Sequence, residues 1–143
     1  MELSCKVEYA LVALLELSTY FERGEPLQIK QIAANQGIPD RYLEQVFASL
    51  RHAGIVRSQR GNRGGYLLAR EPWQITLLDV FNCLEVGSDS KQGRQPEGVD
   101  RGIVREVWKE AQQKARTVLQ QHTIQDLRQQ REARQRLSSM YYI

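Results

Sequence analysis

Apolar residues recur at helical spacing from the start of the chain. Leu3, Val7, Ala10, Leu11, Leu14, Leu17 and Phe21 mark an amphipathic helix over residues 3–22. Val12 and Leu15 add a second apolar face, which places the helix at the centre of a core or against a second subunit. Gly24, Glu25 and Pro26 end it. Ile29, Ile32 and Ala33 predict a short helix over 28–35. Gly37 then allows a tight turn, and Pro39 suits a first-turn position whose missing N–H costs nothing. The next helix, 40–53, turns Leu43, Val46, Phe47 and Leu50 inward, and Gly54 is placed to stop it. Two short helices joined through a glycine corner form a helix-turn-helix unit.

The period then switches. Residues 55–58 and 66–69 are strand-like runs separated by Gln59-Arg60-Gly61-Asn62-Arg63-Gly64-Gly65, a hairpin loop whose glycines and Asn62 tolerate positive φ angles. A hairpin directly after a helix-turn-helix is a wing, here spanning 55–69 with Arg60 and Arg63 at its tip. Thr76 and Asp79 have the spacing of a capping box and open a helix over 76–85. Gly87, Ser88, Ser90, Gly93, Pro96 and Gly98 make 86–100 a flexible loop. Val104, Val107, Trp108, Ala111, Ala115, Val118 and Leu119 then form one long stripe on a helix over 101–122, about 33 Å long at 1.5 Å per residue. The small domain before it cannot cover such a stripe, so a symmetric partner is expected to, and the helix reads as a dimerisation helix. Thr123 and Asp126 repeat the capping-box spacing ahead of a last helix, 124–137, with a thin apolar side of Ile124, Leu127, Ala133 and Leu137. The apolar tail Met140-Tyr141-Tyr142-Ile143 is expected on the same dimer surface.

The pattern therefore predicts a mainly α fold in three stretches. Residues 1–85 form a winged helix-turn-helix DNA-binding domain, 86–100 a flexible loop, and 101–143 the long C-terminal dimerisation helix, a last short helix and the tail. Composition changes this picture little: 143 residues, 41% hydrophobic and 26% charged, describe one globular unit. The net charge of only +3 excludes a tail-like polycation, but its distribution is uneven. Residues 38–70 carry six basic groups, all arginine, against Asp40 and Glu44, and the planar guanidinium fork suits phosphate oxygens and guanine edges. No apolar run reaches the roughly 18–20 residues of a membrane span, and the richest stretch, 9–17, lacks the flanks of a signal peptide. A cytoplasmic protein without membrane partners is expected. Two cysteines, Cys5 and Cys83, exclude a disulfide framework.

A helix-turn-helix with a basic wing is an arrangement for duplex DNA, with the second helix in the major groove. With its apolar residues inward, helix 40–53 presents Arg41, Tyr42, Glu44, Gln45, Ala48 and Ser49 outward. Gln45 matches adenine, and Arg41 matches guanine or phosphate. Glu44 repels phosphate yet accepts from the cytosine amino group, so it is expected to cost affinity and add selectivity; the plainer alternative is an ion pair with a neighbouring arginine. Arg60, Asn62 and Arg63 on the wing are expected at the backbone or the minor groove. A phosphate-cradling nucleotide loop is disfavoured: the glycines lead into a strand, with no Lys-Ser/Thr pair and no G-x-G-x-x-G spacing.

The runs Tyr42-Leu43-Glu44-Gln45, Leu50-Arg51-x-Ala53-Gly54-Ile55-Val56-x-Ser58-x-Arg60-Gly61 and Gly64-Gly65-Tyr66-x-Leu68-Ala69 resemble the Rrf-two family of bacterial winged-helix repressors, of the IscR, NsrR and CymR type. The likeness continues through Ile75-Thr76, Asp79-Val80 and Thr123-Ile124-x-Asp126-Leu127. It implies a homodimeric transcription regulator, acting as a repressor on palindromic DNA, with contacts at Tyr42, Glu44, Gln45 and Arg60. The chain departs from the family pattern at Pro39-Asp40, where a Ser-led start is usual, and at Arg63, where glycine is common. Many members also hold an iron–sulfur cluster on cysteines in the loop before the long helix. Residues 86–101 contain no cysteine, and Cys5, Cys83, His52 and His122 are poorly spaced for a cluster that needs about four ligands. No cofactor is therefore expected. Cys83 reads as a small core residue, with a redox-sensing thiol as the alternative. No catalytic constellation accompanies either histidine, so an enzyme is not expected. The remaining rivals are a winged-helix protein-interaction module and a redox or ligand sensor whose DNA binding needs a further cofactor.

Overall fold

The computed structural model describes residues 3–85 and 98–141. Its elements run α1 (Cys5–Tyr20), α2 (Ile29–Gln36), α3 (Asp40–His52), β1 (Val56–Gln59), β2 (Gly65–Leu68), a single 3-10 turn (Pro72–Gln74), α4 (Leu77–Leu84), α5 (Val99–Gln121) and α6 (Ile124–Tyr141). The architecture is mainly helical, a winged helix-turn-helix followed by a long C-terminal helix. Every predicted helix and strand is present, with ends moved by a residue or two except at α6, which runs to Tyr141 and not to 137. The loop expected at 86–100 falls outside the described residues over 86–97, and its last two residues belong to α5. Tyr142 and Ile143 of the tail also fall outside them, while Met140 and Tyr141 extend α6 and are exposed.

The core forms where the inward faces of α1, α2, α3 and α4 converge. Leu14, Leu17, Ile32, Leu43, Phe47, Leu50, Ile55, Ile75 and Val80 are all buried in one cluster. Each such side chain contributes about 1.5–3 kcal/mol when withdrawn from water. Two details of α1 differ from the periodic reading. Leu3 lies outside the helix and is exposed, and Ala13 is fully buried, because small residues let neighbouring backbones approach closely. Pro39 is the N-cap of α3 and not its first helical residue. Its carbonyl accepts the N–H groups of Tyr42 and Leu43, and Asp40 places a carboxylate in the first turn, where the helix dipole favours it.

β1 and β2 pair antiparallel in the register Val56↔Leu68 to Gln59↔Gly65. Leu27 adds a third edge: its N–H donates to the Tyr66 carbonyl at 3.0 Å, and the Tyr66 N–H returns to the Leu27 carbonyl at 2.7 Å. The wing is thereby fastened to the segment between α1 and α2. Gly65 permits this approach, since a Cβ there would stand 2.5 Å from the Leu27 carbonyl oxygen.

A second junction ties the start of α4 to the start of α6. Thr76 and Thr123 form an antiparallel bridge. Leu77 N–H donates to the His122 carbonyl, and Ile124 N–H to the Ile75 carbonyl, both at 2.9 Å. The two capping boxes close on their own helices at this junction, Thr76 with Asp79 and Thr123 with Asp126. Ile124 is consequently fully buried in the core of the preceding elements, and α6 packs along α1. Helix α5 buries none of its own residues: Val104, Val107, Trp108 and Val118 remain 52–65% exposed.

Candidate nucleic-acid interface

The candidate interface is built from three parts: the glycine corner, α3 and the wing. Gly37 adopts the left-handed conformation (φ 66°) at the end of α2, a region glycine enters without the steric cost of a Cβ. Ile38 donates its N–H back to the Ala33 carbonyl and buries its side chain, which fixes the angle at which α3 leaves. Glu16 on α1 secures the same corner. Its carboxylate is buried and accepts from Asn35 Nδ2 at 2.6 Å and Gln36 Nε2 at 3.4 Å. One face of α3 is closed by Leu43, Val46, Phe47 and Leu50, each 0–1% exposed. Arg41, Tyr42, Glu44, Gln45, Ala48 and Ser49 all lie on the opposite, exposed face. Tyr42 is held edge-to-face against Tyr9 of α1, with ring centroids 5.6 Å apart, a geometry aromatic pairs favour.

The wing tip is a turn closed by the Gly64 N–H on the Gly61 carbonyl at 2.9 Å. Asn62 and Arg63 are its two central residues, and Arg60 precedes it; all three are exposed. Positive φ falls on Gly61 and Gly65 and on no non-glycine residue, so Asn62 is not the left-handed residue its type allows. Gly64 has a steric role instead: a Cβ would meet the Gln59 carbonyl oxygen at 2.4 Å.

The electrostatics of this surface follow from which charges are neutralised inside the protein. Arg70 is withdrawn from it, donating to the Ala53 carbonyl at 3.3 Å and lying 3.9 Å from Asp79. Arg41, Arg60 and Arg63 have no ion-pair partner among the described residues. Neither does Glu44, so the plainer reading of Glu44 as half of an ion pair does not hold. Sequence reasoning missed Tyr9, Glu16, Leu27 and Arg70 as supports. Each acts across a fold contact that periodicity does not reveal.

Cys83 lies on α4 behind the reading helix. It is half-buried against the core, and its Sγ donates to the Ser49 carbonyl of α3 at 3.2 Å. Burial raises its pKa, which keeps the thiol protonated and weakly nucleophilic.

The family described as "Rrf2: Iron-dependent Transcriptional regulator" matches residues 3–130 of the chain. The HTH-type transcriptional regulator CymR of Bacillus subtilis is 34% identical over 143 residues, covering 100% of both chains. The HTH-type transcriptional regulator IscR of Xenorhabdus nematophila is 32% identical over 130 residues, 89% of this chain and 79% of that one. Among solved structures, IscR of T. potens superposes with a TM-score of 0.79 at 33% identity, covering 94% of this chain and 91% of that one. CymR, the global cysteine regulator of B. subtilis, superposes with a TM-score of 0.76 at 32% identity, covering 90% and 97%.

The family description names iron. Cys83 is turned to a backbone carbonyl of α3 and Cys5 is exposed on the first turn of α1. Among the described residues, no three His, Cys, Asp or Glu side chains gather closely enough to hold a metal ion. No helix among them is long and apolar enough to cross a membrane.

Proposed function

Because this chain belongs to the Rrf2 family of DNA-binding transcription regulators, which are not enzymes, we propose that it is a homodimeric repressor of palindromic operators whose DNA binding requires no iron–sulfur cluster. The observation that carries this reading is the unpaired polar face of α3 beside the unpaired arginines of the wing. In this reading α3 enters the major groove. Gln45 reads adenine, Arg41 reads guanine or grips phosphate, Tyr42 and Ser49 contact the backbone, and Glu44 selects for the cytosine amino group. Arg60, Asn62 and Arg63 grip the backbone or the adjacent minor groove. The exposed stripe of α5 pairs with that of a second copy, and the two reading heads then face half-sites one or two helical turns apart.

Selection of random duplex DNA by the purified protein, followed by sequencing, tests this. The expected result is an enriched palindrome bound without added cofactor. A dimer neutralising about 6–10 phosphates should lose about 10³–10⁵-fold in affinity between 50 and 200 mM salt. A flat salt response with no enriched sequence would overturn the reading in favour of a protein-interaction module.

A further inference from the structure

We infer that the cleft between α1 and α6 is an effector site for a small organic carboxylate with an aliphatic body. The cleft has a volume of about 380 Å³, within the usual range for small-molecule sites. Leu15 of α1 and Leu127 of α6 line it with apolar surface, and Arg131, Arg134, Gln135 and Ser138 contribute its polar groups. Arg131 and Arg134 are three residues apart on one helix and so share a face. Neither has an ion-pair partner among the described residues. Arg131 donates to Thr19 Oγ1, but its Nε is shielded from solvent and has no acceptor. A buried donor without an acceptor is unfavourable, and two unpaired cations on one apolar cleft repel each other. A carboxylate offsets that repulsion, accepting from the outer N–H groups of the two guanidiniums while its hydrocarbon body covers Leu15 and Leu127; the shielded Arg131 Nε lies out of its reach. The neighbouring cleft beside Pro72 has no such demand, since Arg128 there is already paired with Glu132 at 3.2 Å.

The position of the cleft connects it to the reading head. Leu15 and Glu16 are consecutive on α1. The first lines the cleft, and the second holds Asn35 and Gln36 at the corner ahead of α3. A ligand that shifts α1 against α6 therefore acts on the segment that aims α3. This effector role rests on the DNA-binding reading above; the binding of the carboxylate does not.

Calorimetric titration of the whole protein with sodium octanoate, without DNA, tests the site, with 1-octanol as the uncharged control. Saturable binding of octanoate at one per chain is expected, with octanol much weaker. The double variant R131Q/R134Q should bind octanoate at least about tenfold more weakly. Ser138→Trp, at an exposed rim position, should block the cleft while keeping both cations. Absence of saturable binding, equal binding of octanol, or undiminished binding by both variants would overturn the site. So would loss of self-association in R131Q/R134Q where the unaltered chain self-associates, because the cleft would then belong to a second copy. With operator DNA from the selection, saturating octanoate should change DNA affinity in the unaltered protein and not in Ser138→Trp. An unchanged affinity would overturn the effector role alone.

Discussion

At the residue scale, chemistry is set by what each side chain can reach. Cys83 and Cys5 are the same thiol in different surroundings. Burial raises the pKa of Cys83, while Cys5 is exposed. Iodoacetamide should therefore modify Cys5 first and Cys83 about tenfold more slowly; equal rates, followed by mass spectrometry, would show that Cys83 is open to solvent. The sign for stability follows from the same shift. A thiol whose pKa is raised on folding favours the native state fully below its unfolded pKa, and that contribution is lost as pH rises through the folded value. Gly65 is decided by space: its neighbour is backbone, which cannot swing aside. Gly65→Ala should cost about 1–3 kcal/mol in urea unfolding, as overpacked sites do. An unchanged midpoint would mean that the Leu27–Tyr66 pairing yields at little cost.

At the element scale, the proposed function divides recognition between α3 and the wing. Arg60 is exposed at the start of the wing turn and has no ion-pair partner among the described residues. Arg60→Gln should weaken binding about equally on all sequences and flatten the dependence of log affinity on log salt by about 0.9 for each phosphate that Arg60 neutralises. A change in preferred sequence would place Arg60 on base edges instead. Glu44 belongs to the opposite class. Glu44→Ala should raise overall affinity and relax the preferred sequence at one position in each half-site; an unchanged preference in the random-duplex selection would remove Glu44 from base reading. The element ends were legible because caps and glycine stops are local. The loop's tolerance of positive φ is used at Gly61 and Gly65, and not at Asn62.

At the scale of the whole molecule, α5 is the feature that folding of one chain leaves incomplete. Its stripe of Val104, Val107 and Trp108 is more than half exposed, and in the proposed homodimer a second copy would remove that apolar surface from water. The double variant Val107→Glu/Trp108→Glu should sediment as a monomer with an intact fold by circular dichroism, and should lose the paired-half-site footprint. A variant that stays dimeric would move the interface elsewhere. Helix α6 is anchored at one end. Its first residue is fully buried in the winged-helix core, while Leu137, Met140 and Tyr141 are exposed at the other end.

The chain alone determined the order and type of its elements, the inward faces of α1 to α4 and the outward face of α3, because helical period, capping boxes and glycine stops act over a few residues. It also carried the family, since the wing and reading-helix runs are contiguous. Only the tertiary structure decided that Glu16 secures the helix-turn-helix corner, that Leu27 extends the wing sheet, that Arg70 is taken up by Ala53 and Asp79, and that α1 and α6 enclose a cleft with two unpaired arginines. Those relations join residues far apart in the chain. Hydrophobic period reports which face of a segment turns inward, but not which segment it meets there.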